Sequence, residues 1–382
     1  MMWKSARLGD VVSYEKVNGQ GSNRPYVGME NISSETMEVV GSPEIPEKTS
    51  STFKFDERHV LFGRLRPYLR KVLVPNFDGQ CSTEIFCLLP SDKVDKKFLA
   101  HWLLHPKVST RINETSTGAR MPRANMNAIL GFDFPLPPLA EQQRIVAKLD
   151  AAFAEIDKAI SLNDERVSHQ SALVNNFIDE IFSNVIGEEM LLNDACDLIT
   201  CGVAARPQYV ETGVPFLSAQ NVKNGTVLYR NHKYITEEKH KELTKHNKPA
   251  KGDILYTRVG SYGDAAVIEE DTEFSIFVSL TLIKVNQYLT SNYLKYFLNS
   301  QKVKRLAARS ISGSGVGNLN VGTVRRFPIV VPDIAAQQEI TSRLGEISLH
   351  HFELMSCLNA KSAALKQLKS SILAQELQSE AA

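Results

Sequence analysis

The sequence predicts an α+β protein in which one structural unit is written twice, and three observations lead to this prediction. The segment from Phe132 to Asp150 returns as the segment from Phe327 to Gly345. Short β-branched and aromatic runs, broken by Gly, Pro, Asn and Ser, precede each copy, as expected of strands joined by turns. A long segment without proline follows each copy, with apolar residues at alternating spacings of three and four, which is typical of a long helix.

The repeat divides the chain into four parts. Identical residues at the shared offset are Pro137 and Pro332, Ala140 and Ala335, Gln142 and Gln337, Gln143 and Gln338, Ile145 and Ile340, and Leu149 and Leu344. The helical patterns FLAHWLL and YLKYFLN also correspond. We therefore predict globular regions at 1–134 and 188–329, and helical regions at 135–187 and 330–382.

The two long helices are predicted to pack on each other. The first should run from Leu139 to about Val185, with an apolar seam of Val146, Leu149, Phe153, Ile156, Ile160, Val167, Val174, Phe177 and Ile181 and polar seam positions at Asn163 and Gln170. The second seam comprises Ile340, Leu344, Ile347, Leu354, Leu358, Leu365, Leu368 and Ile372, with His351 and Lys361 as polar interruptions. Because the second globular region leaves the first helix and returns to the second, an antiparallel, coiled-coil-like pair is expected. The alternative is that each helix packs only against its own globular region.

Composition and charge bound the function. The chain has 382 residues, enough for two domains, and a net charge of +1. The five cysteines are odd in number and scattered, so free thiols are expected and no metal site is predicted. No segment has the apolar length of a membrane helix or a signal peptide, and a cytoplasmic location is expected. Basic residues cluster without acids over 58–71 and 295–332, which suits a polyanion or, alternatively, a solvated surface.

The proline-led segment PLPPLAEQQRIVAKLD, with its long helix and its second copy, resembles the specificity subunits of type I restriction-modification enzymes. The resemblance covers essentially the whole chain, although Ala336 stands where the first copy has Glu141. It implies two target-recognition domains that each read half of a bipartite site in double-stranded DNA. It also implies that the helices set the spacing and dock methyltransferase subunits, expected to be two, through which restriction and translocation subunits join.

The motifs of an enzyme are missing from the sequence. There is no NPPY or DPPY tetrad for amino-methyl transfer, no Walker A run and no convincing nuclease arrangement. The Gly-rich stretch from Gly313 to Gly317 lacks the dinucleotide pattern and is predicted to be a loop near a phosphate. We therefore predict neither catalysis nor a cofactor. Two alternatives remain, a DNA-reading fragment of a fused methyltransferase and a coiled-coil scaffold that binds only protein.

Candidate DNA contacts follow from residue type and repeat position. Arginine at an equivalent point of each unit can bind guanine bidentately or clamp phosphate, and small residues beside it permit close approach. Each candidate can equally be a surface or turn residue. The predicted set is Arg64, Arg66, Tyr68, Arg70, Lys71, Arg120, Arg123, Asn125, Arg258, Tyr262, Lys302, Lys304, Arg305, Arg309, Asn318 and Asn320.

Overall fold

The computed structural model describes residues 3–47, 51–260, 262–311 and 317–377. The chain forms two compact units, and both long helices contribute residues to each of them. The first unit combines Met1–Asp164 with Asn359–Ala382, and the second is Glu165–Leu358.

The first unit contains nine strands among its described residues and the first long helix begins in it. The strands are β1 (Ser5–Arg7), β2 (Val12–Glu15), β3 (Tyr26–Val27), β4 (Thr52–Phe55), β5 (Val60–Gly63), β6 (Val72–Leu73), β7 (Gly79–Ser82), β8 (Ile85–Pro90) and β9 (Asp133–Pro135). The helices are α1 (Leu8–Val11), α2 (Lys96–Leu104), α3 (Pro106–Glu114), α4 (Met126–Leu130) and α5 (Leu139–Asn184).

The second unit repeats this plan, with additional short elements after its first sheet strands. The strands are β10 (Glu188–Leu191), β11 (Cys196–Cys201), β12 (Val214–Leu217), β13 (Val222–Lys223), β14 (Thr226–Val227), β15 (Lys233–Ile235), β16 (Ile254–Thr257), β17 (Ala265–Val267), β18 (Ser275–Ile276), β19 (Leu280–Val285) and β20 (Pro328–Val331). The helices are α6 (Glu237–Thr244), α7 (Ser291–Asn299), α8 (Gln301–Arg309), α9 (Val321–Arg325) and α10 (Ile334–Leu377).

Sheet topology confirms that the units are copies. The four-stranded antiparallel sheet has the order β2-β8-β5-β6 in the first unit and β11-β19-β16-β17 in the second. A smaller sheet contains one parallel pair in each unit, β3 with β7 and β12 with β18. The third strand is added at different edges, because β4 pairs with β7 whereas β15 pairs with β12. The α+β class and the internal repeat predicted from the sequence are therefore confirmed.

The predicted short helices form for local reasons. Asp95 caps α2, and its carboxylate accepts hydrogen bonds from the backbone N–H groups of Lys97 and Phe98. His105 ends α2 in an extended conformation because it precedes Pro106, which then occupies the first position of α3. Every side chain from Phe98 to Leu104 is buried, so α2 lies inside the main core of the first unit.

A buried glutamine joins each long helix to its globular region. The Gln142 amide donates to the carbonyls of Lys93 and Pro137 at 2.9 and 2.8 Å, and its oxygen accepts from the Asp95 N–H at 2.8 Å. Gln142 is 0 % exposed. All three polar positions of this amide are thus used between the proline segment, the β8–α2 connection and the first turn of α5.

The second unit contains the same arrangement. Gln337, also fully buried, donates to the carbonyls of Tyr288 and Pro332 at 2.7 and 2.9 Å. Its oxygen accepts from the N–H of Thr290, the residue that precedes α7, at 2.8 Å. The repeated Gln of the sequence motif is therefore a structural connector in each unit.

The long helices pair antiparallel. Within the first unit, Lys148 near the start of α5 contacts Glu376 near the end of α10 at 2.6 Å, and Asp157 contacts Lys369 at 2.6 Å. Within the second unit, Phe182 of α5 belongs to the same buried cluster as Leu344 of α10. The predicted antiparallel pair is confirmed, and the alternative that each helix packs only against its own globular region is wrong. None of the described helices is apolar over a length sufficient to cross a membrane.

Two leucines assigned to the seam of α10 are exposed instead. Leu354 and Leu368 are 39 % and 48 % exposed. The residue after Leu368 takes its place, because Lys369 lays its stem along the partner helix and its ammonium lies 4.8 Å from the ring centre of Phe153 and 2.6 Å from the Asp157 carboxylate. A lysine that buries its aliphatic stem and pairs its charge is invisible to a search for apolar periodicity.

Replacement of Gln142 by Ala should lower the free energy of unfolding of the first unit by about 2–4 kcal/mol, because it leaves the buried Pro137 carbonyl and the partly buried Lys93 carbonyl and Asp95 N–H without their partner. Urea unfolding followed by circular dichroism measures the change. Gln143→Ala is the matched control, since Gln143 is exposed on the next position and should cost less than about 0.5 kcal/mol. Equal effects of the two substitutions would contradict the connector role of Gln142.

Candidate nucleic-acid interface

Two loops of the first unit are held together by backbone hydrogen bonds. We call them the first loop cluster, residues 64–71 and 117–125. The Arg66 N–H donates to the Pro122 carbonyl at 2.7 Å, and the Ala124 N–H donates to the Arg64 carbonyl at 2.9 Å. The structure thus brings together candidates that are more than fifty residues apart in the sequence.

The first loop cluster has an exposed rim. Arg66 and Arg70 both adopt a left-handed backbone with φ of 49°, on either side of a 3₁₀ turn at Pro67–Leu69. A residue other than glycine in this region costs about 1–3 kcal/mol, and surrounding contacts must hold it there. The turn presents Tyr68, which is 53 % exposed, while Arg66 and Arg120 are exposed beside it. These side chains are accessible from solvent, and their role as DNA contacts stays a prediction.

A carboxylate organises the partly exposed arginines of the first loop cluster. Glu84 accepts two hydrogen bonds at 3.0 Å from Nε of Arg123 and a third at 2.9 Å from Nη2. The Arg64 Nε lies 3.7 Å from the same carboxylate, and its guanidinium lies 5.6 Å from the Phe86 ring centre. These hydrogen bonds raise the pKa of the Arg123 guanidinium above its usual value. Because two arginines, Arg64 and Arg123, share the single carboxylate of Glu84, this group of three side chains has a net positive charge.

Three further candidates of the first loop cluster use their polar atoms inside the protein. Arg70 pairs with Glu35 at 2.9 Å and also donates to the Leu104 carbonyl. The Lys71 ammonium donates to the Met29 carbonyl at 2.5 Å. Asn125 caps α4, because its side-chain oxygen accepts from the N–H groups of Asn127 and Ala128. Their described contacts position the loops, and their role as DNA contacts stays a prediction.

The second unit has a corresponding cluster. We call it the second loop cluster, residues 257–262 and 317–320, of which Ser261 is outside the described residues. The predicted loop from Ser312 to Asn320 is described only from Gly317, since 312–316 are also outside them. Tyr262 is half-buried, and Asn320 caps α9 through the Gly322 N–H, as Asn125 caps α4 in the first unit.

Arg258 is buried in the second loop cluster, where it is 7 % exposed. Its Nε donates to the Leu319 carbonyl at 2.9 Å, Nη1 to the Val278 carbonyl at 3.3 Å, and Nη2 to the Asn318 side-chain oxygen at 3.1 Å. All three guanidinium nitrogens therefore have partners within the protein. Arg64, at the equivalent point of the first unit, is about one third exposed.

The backbone hydrogen bonds that hold each loop cluster together, which we call its backbone frame, are equivalent in the two units. In the first, the Arg64 N–H donates to the Glu84 carbonyl at 2.9 Å; in the second, the Arg258 N–H donates to the Ser279 carbonyl at 3.0 Å. Leu65 bridges Arg123 in one unit, and Val259 bridges Asn318 in the other. Each frame thus carries an arginine at the first position, but the acidic and basic side chains of the first unit are replaced by Ser279 and Asn318 in the second.

The basic residues of α8 lie in two environments. Lys304 pairs with Asp264 at 2.8 Å, and Arg305 pairs with Asp179 of α5 at 2.6 Å. Lys302 and Arg309 are exposed and form no ion pair with another described residue. Lys302, Arg305 and Arg309 line a cavity of about 410 Å³ whose other walls include Phe182 and Tyr293. The charge run seen in the sequence is therefore partly neutralised by acids from other segments.

A possible catalytic arrangement in the second unit is closed to solvent. His240 Nδ1 lies 2.9 Å from the Ser275 hydroxyl, and Nε2 lies 3.6 Å from a Glu273 oxygen. His240 and Ser275 are 3 % and 1 % exposed, and burial lowers the pKa of the imidazole. These contacts attach α6 to β18 and leave both side chains almost without solvent exposure. Within the described ranges, no cluster of His, Cys, Asp and Glu could hold a metal ion.

Glu84 was missed by sequence reasoning. It lies in the turn between β7 and β8, and only its contacts with Arg64 and Arg123 give it significance. One signal in the sequence could have indicated Glu84. It is a single acid in the turn before β8, and β8 pairs with β5, the strand that Arg64 follows.

Residues 2–163 and 188–361 match the family described as Type I restriction modification DNA specificity domain. The chain belongs to this family. It carries the specificity domain twice, and each match includes a globular region and the first part of a long helix.

The curated relatives of this specificity protein are specificity subunits of type I restriction enzymes. The Escherichia coli EcoDI subunit is 27 % identical over 186 residues, 48 % of this chain and 40 % of that protein. The E. coli EcoBI subunit is 21 % identical over 356 residues, 81 % of this chain and 73 % of that protein. The EcoKI subunit of E. coli strain K12 is 22 % identical over 323 residues, which are 79 % of this chain and 69 % of that protein. The match to EcoDI therefore spans less than half of that relative's length.

Solved structures show the same fold. A chain from the work described as "Structural basis underlying complex assembly and conformational transition of the type I R-M system" has a TM-score of 0.80 at 20 % identity, covering 99 % of this chain and 98 % of that chain. The HsdS subunit of Thermoanaerobacter tengcongensis has a TM-score of 0.54 at 21 % identity, and the match covers 99 % of this chain and 97 % of that chain.

Arg258→Ala should lower the free energy of unfolding of the second unit by about 2–4 kcal/mol, because the buried Leu319 carbonyl, the partly buried Val278 carbonyl and the Asn318 side-chain oxygen lose their donor. Hydrogen exchange at β16 and β19 of the full chain reports the change. Arg309→Ala removes the same charge from an exposed site of the same unit and should change stability by less than about 0.5 kcal/mol. If Arg258→Ala leaves exchange at these strands unchanged, Arg258 does not support the fold.

Proposed function

We propose that this chain is the DNA-recognition subunit of a type I restriction-modification complex, in which each unit reads one half of a bipartite target in double-stranded DNA. The observation that carries the proposal is the repeated loop cluster, in which one backbone frame occurs twice with different side chains. Two different half-sites require such an arrangement, because base edges are read by side chains while the scaffold that approaches the groove can stay the same.

The candidate contacts divide by exposure into two roles. Arg64 is partly exposed beside the Glu84 carboxylate and is our candidate for a contact with a base, whereas Arg123, which forms three hydrogen bonds to Glu84, holds that carboxylate in place. The exposed Arg66, Arg120 and Tyr68 surround them, and on α8 Lys302 and Arg309 are exposed, which suits contacts to phosphates. We assign Arg258, Arg70, Lys71 and the capping Asn125 and Asn320 to the support of the loops, on the basis of their described hydrogen bonds.

The role is one of recognition without catalysis. The relatives are named specificity subunits, and the repeated clusters hold side chains suited to DNA contact rather than to a reaction. Regions 1–134 and 188–329 would act as target-recognition domains, and 135–187 and 330–382 as spacers that set the distance between half-sites. Because its substrate is chromosomal and incoming DNA, the protein would act in the cytoplasm.

The long helices offer apolar surface for partner subunits. Leu349 and Phe352 of α10 are 57 % and 72 % exposed, although their helix packs against α5 elsewhere. Exposed large apolar side chains on a surface helix are typical of a protein interface. We assign this surface to a methyltransferase subunit. The repeat favours two such subunits, one for each copy, with restriction and translocation subunits joining through them.

Exchange of residues 1–134 for the corresponding region of a relative with another target should change one half of the recognised sequence and leave the other half intact. The exchange keeps β1 together with most of its partner β9. Methylome sequencing of cells that carry the hybrid and its methyltransferase subunits gives the motif. The reciprocal exchange of 188–329 is the control and should change the other half. A change of both halves by either exchange would contradict separate recognition domains.

Phe352→Asp should weaken assembly with the methyltransferase subunit by about 10-fold or more, because it places a charge in an apolar contact, while the fold is retained because the side chain is already exposed. Sedimentation of the mixed subunits measures the complex. His350→Asp introduces the same acid two residues away, at another exposed position of α10, and should assemble normally. Full assembly of Phe352→Asp would remove this residue from the interface.

A further inference from the structure

We propose that Glu84 is a positioning residue that makes Arg64 a reader of guanine in the half-site of the first unit. This inference rests on the proposed function and names the group that carries its specificity. Arg64 would present the Nη1–Nη2 edge of its guanidinium to O6 and N7 of guanine, a bidentate contact in the major groove. Glu84 would act through Arg64 without touching the DNA.

The contacts around Glu84 leave one guanidinium edge of Arg64 available. The Arg64 Nε, a buried atom without a hydrogen bond, lies 3.7 Å from the Glu84 carboxylate as an ion pair, and no described residue forms a hydrogen bond with its two Nη atoms. Arg123, in contrast, uses its Nε–Nη2 edge on Glu84, and its Nη1 lies 3.4 Å from the Met121 carbonyl. Of these two arginines, Arg64 is therefore the one free to form a bidentate contact.

Arg123 makes the carboxylate compatible with DNA. An acid at a DNA surface repels phosphates unless a cation neutralises it. Arg123 donates three hydrogen bonds of 2.9–3.0 Å to the Glu84 carboxylate, so the net charge of this pair is close to zero. Arg64 supplies the remaining positive charge. The Phe86 ring, 5.6 Å from the Arg64 guanidinium, limits its movement from another direction. An arginine whose position is biased by an ion pair and a neighbouring ring loses less conformational freedom when it binds a base.

The second unit shows the same frame without the acid. Ser279 replaces Glu84, and its hydroxyl accepts from the Ala219 N–H at 3.0 Å. Arg258 there is buried, and each of its guanidinium nitrogens donates to an atom of its own unit. At the equivalent position of the two frames, Arg64 is thus partly exposed next to the Glu84 carboxylate, whereas Arg258 is buried next to Ser279.

The test begins with the full chain and a library of DNA duplexes with randomised positions. Selection and sequencing of bound duplexes should return a bipartite motif with guanine in the half-site that changes on exchange of residues 1–134. Failure of the wild-type chain to enrich any motif would overturn the proposed function itself. A first half-site without a preferred guanine would overturn only the present inference.

Glu84→Gln should then reduce the preference for one guanine of the first half-site by about 10-fold and leave the second half-site unchanged. Binding to duplexes without the motif should stay the same or rise slightly, because one negative charge is lost. Glu114→Gln is the matched control, an exposed acid of the same unit, and should keep the full motif. Thermal unfolding establishes that both variants are folded.

A second variant keeps the inference testable if Glu84→Gln does not fold. Arg64→Lys preserves the positive charge but removes the pair of parallel N–H donors of the guanidinium. The variant should therefore lose its preference for the same guanine. Retention of that guanine by either folded variant would overturn the role of Glu84. A uniform loss at all positions of both half-sites would also overturn it, since that result indicates general weakening rather than positioning.

Discussion

The geometry of each unit depends on one buried amide, that of Gln142 in the first and Gln337 in the second. An amide side chain offers donors and an acceptor at one point, and here all of them are satisfied by backbone groups of two segments, the connection before a short helix and the proline that precedes the long helix. Glutamate would lack the donors and methionine would lack both, so neither could replace it without leaving buried groups unpaired. The direction in which a long helix leaves its globular region is therefore fixed by hydrogen bonds that water cannot replace.

With the helix direction fixed, the side chains of the loop clusters can vary without loss of the frame. The frame is made by backbone hydrogen bonds such as those of Arg64 and Arg258 to the turn before the adjacent strand. Backbone groups are the same for every residue type except proline, and an exchange of Glu84 for Ser279 leaves this bond in place. This separation of frame and side chain lets one fold serve two half-sites, and it explains why the repeat is clear at the helix junctions and faint in the globular regions.

The sequence was sufficient for the repeat, the fold class, the limits of the first long helix and the antiparallel pairing of the two long helices, because these follow from periodicity and connectivity. It was insufficient for features that depend on contacts between distant segments. The burial of Arg258 depends on carbonyls that lie twenty and more than sixty residues away. The seam error at Leu368 arose because Lys369 has its charge neutralised by Asp157, more than two hundred residues away. Arginines could therefore be selected as candidates by residue type, but their exposure could not be ranked from the sequence.

The pairing of cations with distant acids also bears on how such a protein selects its target. Lys304, Arg305 and Arg70 all contact carboxylates inside their own unit, which removes much of the positive field that the runs in the sequence suggest. Binding that is independent of sequence depends on the number of phosphates neutralised, and it rises steeply with each free cation. A protein that must choose one site among a genome of competitors gains from keeping that number small, since the ratio of specific to non-specific affinity determines occupancy. The near-zero net charge of the chain, which alone would argue against DNA, is thus consistent with a subunit whose task is discrimination.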